Sequence, residues 1–180
     1  MWDGDGYYEA SFGIHKSRRY HAKLRDFYQA VYNYTTAANA FAASGAFIAI
    51  LGSLTIIAGT LSAIVALASF FDNIFKYENK ARTHHDLCYR FTRLAAEIET
   101  MSETPEHLAE VRAKRLLIEA DEPSEKRLVE IMASNEEARS RGVAEAKLHR
   151  LSRPQCWFGY VWTFGLRRLE LEKAARETQS

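Results

Sequence analysis

The sequence is short of several things, and each shortage excludes something. It has two cysteines, Cys88 and Cys156, too few for a disulfide scaffold, so a reducing compartment is expected. Its three prolines are Pro105, Pro123 and Pro154, which leaves only glycines to interrupt helices in the first half of the chain. Net charge is +1, so no overall field points to nucleic acid, and no nucleic-acid partner is expected. The start, "MWDGDGYYEASFGIHK", places Asp3, Asp5 and Glu9 where a signal peptide needs a basic and then an apolar stretch. Any entry into a membrane is therefore expected through an internal, uncleaved segment. The largest shortage is local: no charged residue occurs in the 45 positions from Phe27 to Phe71.

That charge-free block decides the expected architecture. Its average company is ordinary, at 47% apolar and 26% charged over 180 residues, but the charges are segregated beyond Lys76. A bilayer core of about 30 Å needs roughly 20 helical residues. The block is too long for one such span and suits two joined at "ILGSLT", with a turn at Gly52–Ser53 and legs of about Ala30–Leu51 and Leu54–Phe75. Arg18, Arg19, Lys23 and Arg25 precede the first leg, and Lys76, Lys80 and Arg82 follow the second. The positive-inside rule then puts both ends in the cytoplasm. Phe27, Tyr28, Tyr32 and Tyr34, with Phe70, Phe71, Phe75 and Tyr77, read as an interfacial aromatic belt. The competing reading is a buried hairpin in a soluble bundle, kept open by Asn33, Thr35, Thr36 and Asn39 on the first leg.

The expected fold class is thus an all-α membrane protein: a two-transmembrane helical hairpin with a cytoplasmic helical bundle or extension. Residues 1–16 read as a mobile arm, and 17–76 as an amphipathic helix leading into the hairpin. Ser17 is its expected cap, with a stripe at Tyr20, Leu24, Phe27, Val31 and Tyr34. Residues 77–153 read as cytoplasmic helices and 154–180 as an aromatic, then charged, C-terminal helix. Leu87, Phe91, Leu94 and Ile98 make one apolar stripe. Thr104 and Pro105 start a further helix. Pro123 and Ser124 start another, which Gly142 stops. The cluster Trp157, Phe158, Tyr160, Trp162 and Phe164, backed by Arg167 and Arg168, reads either as a membrane-surface element or as closure of a bundle core.

Small residues at Ala38, Ala42, Gly45, Ala49 and Gly52 mark an expected helix-packing or oligomer seam. Asp72, with Asn73 and Lys76, reads either as a helix-end ion pair or as a pore mouth. Arg18, Arg19, His84 and His85 are the candidates for contact with a partner or ligand, topology anchoring being the plainer role for the arginines. "HHDLC" spaces His84 and Cys88 four apart, but a zinc site needs about four convergent ligands and no second pair exists. The pair reads as solvated or interfacial histidine. No glycine-rich phosphate loop and no nucleophile–base constellation can be argued, and the carboxylates of "EEARSR" read as a solvated face. No catalytic residue, metal or cofactor is expected.

The order of motifs resembles a known family. A basic helix "RRYHAKLRDFY" leads into the hairpin, whose exit "FFDNIFKYENKARTHHDLCYRFTRLAAEI" is followed by "ASNEEARSRG". Asp72, His85, Leu87, the run Phe91 to Ile98, Asn135, Glu136 and Gly142 carry a resemblance to the SLATT family, the SMODS- and SLOG-associating two-transmembrane effector domains of bacteria. It covers about residues 17–150. The resemblance implies a stand-alone effector of nucleotide-signalled anti-phage defence. Such a protein would oligomerise, form a pore or disrupt the inner membrane, and cause abortive infection. Its implied partners are membrane lipids, copies of itself, and either a cyclic nucleotide or a regulatory protein of the same operon. The alternative is a membrane-anchored helical adaptor or scaffold for a separate sensor or toxin.

Overall fold

The computed structural model describes the backbone of residues 4–42 and 55–161. Every α or 3-10 element among them is helical: α1 Gly4–Ala42, α2 Thr55–Phe75, α3 Tyr77–Thr100, α4 Pro105–Glu119, α5 Arg127–Ser140, a 3-10 turn Glu145–Lys147, and α6 Arg153–Phe158. The chain is all-α. Among the described residues, however, no helix is long and apolar enough to cross a membrane. That finding overturns the expected two-span hairpin and multi-pass inner-membrane placement.

The physical reason is that lacking charge is weaker than being apolar throughout. Within the charge-free block, Gln29 donates to Asn33 at 2.9 Å and Thr35 bonds the Val31 carbonyl at 3.0 Å. Ser69 donates to Asn39 at 2.6 Å. The end of the first expected leg and the Gly52–Ser53 turn lie outside the described residues.

The chain divides into two compact units, Met1–Leu24 with His84–Ser180, and Arg25–Thr83. In the first, α3 supplies the expected stripe: Leu87, Phe91, Leu94 and Ile98 are all buried. They pack with Ala10 and Ile14 of α1 and with Leu108, Val111 and Ile118 of α4. Each fully buried large apolar side chain contributes about 1.5–3 kcal/mol. The mobile arm expected at 1–16 is therefore corrected. From Gly4 onward it is helix, and Tyr7, Ala10, Ile14, Ser17, His21, Leu24 and Tyr28 follow steps of three and four. From Ala10 to Tyr28 all of these are buried. Ser17 is inside the helix rather than at its cap.

Local signals set the later boundaries. Thr104 caps α4, its side chain accepting from the His107 N–H, with Pro105 at the first helical position. Ser152 caps α6 in a reciprocal capping box with Gln155. Gly142, at φ +77°, ends α5 in the left-handed region where a Cβ is disfavoured. The start expected at Ser124 is corrected to Arg127, with Lys126 at the cap and no side-chain cap bond.

In the second unit, α2 ends at Phe75 and α3 begins at Tyr77 because Lys76 sits at φ +48° and interrupts the helix. The aromatics read as an interfacial belt stack on one another instead. Tyr77 stacks on Tyr28 at 6.3 Å and on Phe75 at 5.7 Å. Lys80 lies over the rings of Tyr28, Phe75 and Tyr77 at 5.6, 5.4 and 5.9 Å. A cation over three ring faces gains from each quadrupole.

Candidate functional site

The basic residues of α1 were expected to anchor topology. In the first unit two of them, Arg19 and Lys23, meet acids of α5 instead, as does Lys16. Lys16 donates to Glu130 at 2.8 Å, Arg19 to Glu137 at 2.7 Å, and Lys23 to Glu136 at 3.0 Å. Arg141, one turn after Glu137, donates to its other oxygen at 2.7 Å and to Ser11 Oγ at 2.8 Å. The Arg141 guanidinium also lies 4.9 Å from the Tyr8 ring centre. Glu137 is 3% exposed, so the carboxylates of "EEARSR" are not all a solvated face. Burial pushes the Glu137 carboxyl up, but hydrogen bonds from Arg141 and Arg19 outweigh it and hold it below the usual range. Glu130 is lowered by the same balance, burial against the bond and charge of Lys16.

A second polar group lies among apolar side chains. His21 of α1 and His84 of α3 are 0% and 4% exposed, with their Nδ1 atoms 2.9 Å apart. His21 Nε2 is 3.1 Å from Glu122 Oε1. The His21 ring stacks on Phe91 at 5.5 Å. The solvated or interfacial histidine pair expected from "HHDLC" is corrected: His85 is exposed, and His84 meets a histidine 63 positions away. The pairing left no trace in the sequence because His21 lies 63 positions before His84, on the buried face of α1.

Beside this group is a polar cleft of about 360 Å³, lined by Lys16, Tyr20, Arg115, Glu119, Glu122 and Glu130 among others. Its charges are largely paired internally, since Lys16 holds Glu130 and Arg115 holds Glu119 at 2.6 Å. Among the described residues no group of three or more His, Cys, Asp or Glu is placed to hold a metal ion.

In the second unit the notable surface is on α2. Leu67, Phe70, Phe71, Ile74 and Phe75 are 43–59% exposed and follow the i, i+3, i+4, i+7, i+8 pattern of one helix face. Ser69, bonded to Asn39 of α1, lies on the opposite face at 100° per residue. The helix is engaged on one side and bare and apolar on the other.

Of the residues singled out from sequence, Arg19 joins the ion-pair row, and its acidic partner is the chain's own α5. Arg18 has no ion pair among the described residues. Ala38 is exposed on α1, and Ala42 is the last residue of that helix. Gly45, Ala49 and Gly52 lie outside the described residues. Asn73 is exposed on α2 and Lys76 marks its end, while the side chain of Asp72 is outside the described set. Trp157 and Phe158 are 80% and 58% exposed; Trp162, Phe164, Arg167 and Arg168 lie outside. No protein family, curated protein or solved structure matches the chain, so the SLATT resemblance rests on the quoted motifs.

Proposed function

We propose that this chain is a non-catalytic helical adaptor that associates with copies of itself through α2. The observation that carries this is the bare apolar face of Leu67, Phe70, Phe71, Ile74 and Phe75. Apolar rows at helical spacing gain free energy when covered. Covering five large apolar side chains with the same five of a second copy would remove on the order of 1,000 Å² from water, the size of a weak, transient protein interface. The occupant is a second copy, because Leu67, Phe70, Phe71 and Ile74 form an uncharged row that complements itself, with Lys80 over its end at Phe75. Ring contacts between Phe70 and Phe71 and between Phe71 and Phe75 pre-order the row, reducing the entropy lost on association.

The first unit, with its paired charges and closed core, supports a platform role and not a reaction centre. The setting proposed from the motif resemblance is a nucleotide-signalled anti-phage system, in which the adaptor presents a sensor or toxin. The test is sedimentation equilibrium of the purified full chain and of Leu67→Glu/Phe71→Glu. The expected result is a concentration-dependent oligomer for the first and a monomer of unchanged helicity for the second. A wild-type chain that stays monomeric at tens of micromolar, or that floats with lipid vesicles and does not self-associate, overturns the proposal.

A further inference from the structure

We propose that α6 and the turn after it form a peripheral docking face for an anionic lipid surface, where aromatic side chains enter the headgroup layer and basic ones meet the phosphates. Trp157 is 80% exposed, and Phe158 and Val161 are each 58% exposed. At 100° per residue, Arg153, Pro154, Trp157 and Phe158 fall within an arc of about 140°, and all four are exposed. Gln155 and Cys156, on the other side, are buried and half-buried. The short helix therefore has one packed side and one bare, largely apolar side.

The bare side is held in place and is not a loose end. Ser152 and Gln155 close a reciprocal capping box at the start of α6. Asn135 of α5 fastens the approach, donating to the His149 carbonyl at 2.7 Å and accepting from the His149 N–H at 3.0 Å. Gly159 lies so close to α5 that a Cβ there would come within 2.9 Å of Leu128 Cβ. Rings fixed in advance lose less entropy on binding.

Charge selects the partner. From Ala146 to Leu169 the sequence has five basic residues, Lys147, Arg150, Arg153, Arg167 and Arg168, and no acidic one. Elsewhere in this unit Lys16, Arg19, Lys23, Arg115 and Arg141 each hold a carboxylate of the chain itself. Lys147, Arg150 and Arg153 are exposed and form no ion pair with a described residue. Glu145, just before the run, is taken by Arg139 at 2.6 Å. A second copy would set like charge against like charge. A nucleic acid would use the arginines but leave Pro154, Phe158 and Val161 in water. An anionic bilayer surface uses both sets, because Trp and Phe settle at headgroup depth and basic side chains gain from the negative surface potential. The contact needs no spanning helix, and it lies in the first unit, whereas the α2 row lies in the second.

Flotation of the full chain with unilamellar vesicles tests this, one set of phosphatidylcholine alone and one with about 30% phosphatidylglycerol. The unaltered chain should float with the anionic set only and detach as salt rises. Arg150→Gln/Arg153→Gln should bind about 25-fold more weakly, at about fivefold per basic residue. Trp157→Ser/Phe158→Ser should lose at least about tenfold, with circular dichroism unchanged because both side chains are exposed. Leu67→Glu/Phe71→Glu should keep the preference for anionic vesicles, so this face and self-association through α2 fail separately. Equal flotation with both vesicle sets, flotation with neither, or full binding by either α6 variant overturns the proposal. So does loss of flotation in the α2 variant, or binding to a single-stranded oligonucleotide or an acidic peptide in place of anionic vesicles.

Discussion

Replacing Glu137 by Gln would remove one negative charge from a site built to hold it. The Glu137 side chain is 4% exposed and receives Arg19 Nε and Arg141 Nε at 2.7 Å each. Removing one member of a buried ion pair costs about 3–5 kcal/mol, because the remaining charge is left uncompensated. Here the arginine side chains are 28% and 19% exposed, so water relieves part of that. A loss of about 2–3 kcal/mol follows once the exposed share is discounted. For a chain of this size it corresponds to a fall in Tm of about 5–10 °C.

The pH dependence has a fixed sign. The folded carboxyl is held below its usual range, so its contribution is fully present above the unfolded value of about 4.3 and is lost as pH falls through the folded value. Urea unfolding followed by circular dichroism should show a constant gap between wild type and variant at pH 5–8, closing below about pH 4. A gap under about 0.5 kcal/mol at pH 7, or one unchanged wherever the fold survives acid, would refute the reasoning.

Two other substitutions probe separate features. Phe91→Ala removes a side chain that is fully buried and should cost about 3–5 kcal/mol in the same urea assay; a loss below about 1 kcal/mol would mean the α1–α3–α4 core is not packed as described. Lys76→Gly relieves a left-handed backbone at φ +48° and should stabilise by about 0.5–1 kcal/mol. Thermal unfolding checks it, and a lower Tm would show that the lysine side chain contributes more than its backbone costs.

Local chemistry was legible in the sequence. The stripe Leu87, Phe91, Leu94 and Ile98, the cap at Thr104 with Pro105, and the stop at Gly142 depend on neighbours within a turn or two, and each is where its pattern implies. The arm at residues 1–16 was misread because Gly4, Gly6 and Gly13 suggest breakage and its aromatic residues show no helical period. A Cβ at Gly13 would meet the Arg115 guanidinium, the movable end of a flexible side chain. The charge-free block was read by what it lacks, and the polar groups inside it were given too little weight.

The sequence by itself determined the helical character, the cap at Thr104, the stop at Gly142 and the sorting of charge, because those follow from backbone hydrogen bonding and periodicity over a few residues. Only the tertiary structure decided what the charges and histidines meet. Arg19 finds Glu137 118 positions away, and His21 finds His84 63 away. Separations of that size leave no periodic trace along the chain. It is packing of the apolar faces that brings those polar groups together and withdraws water from them.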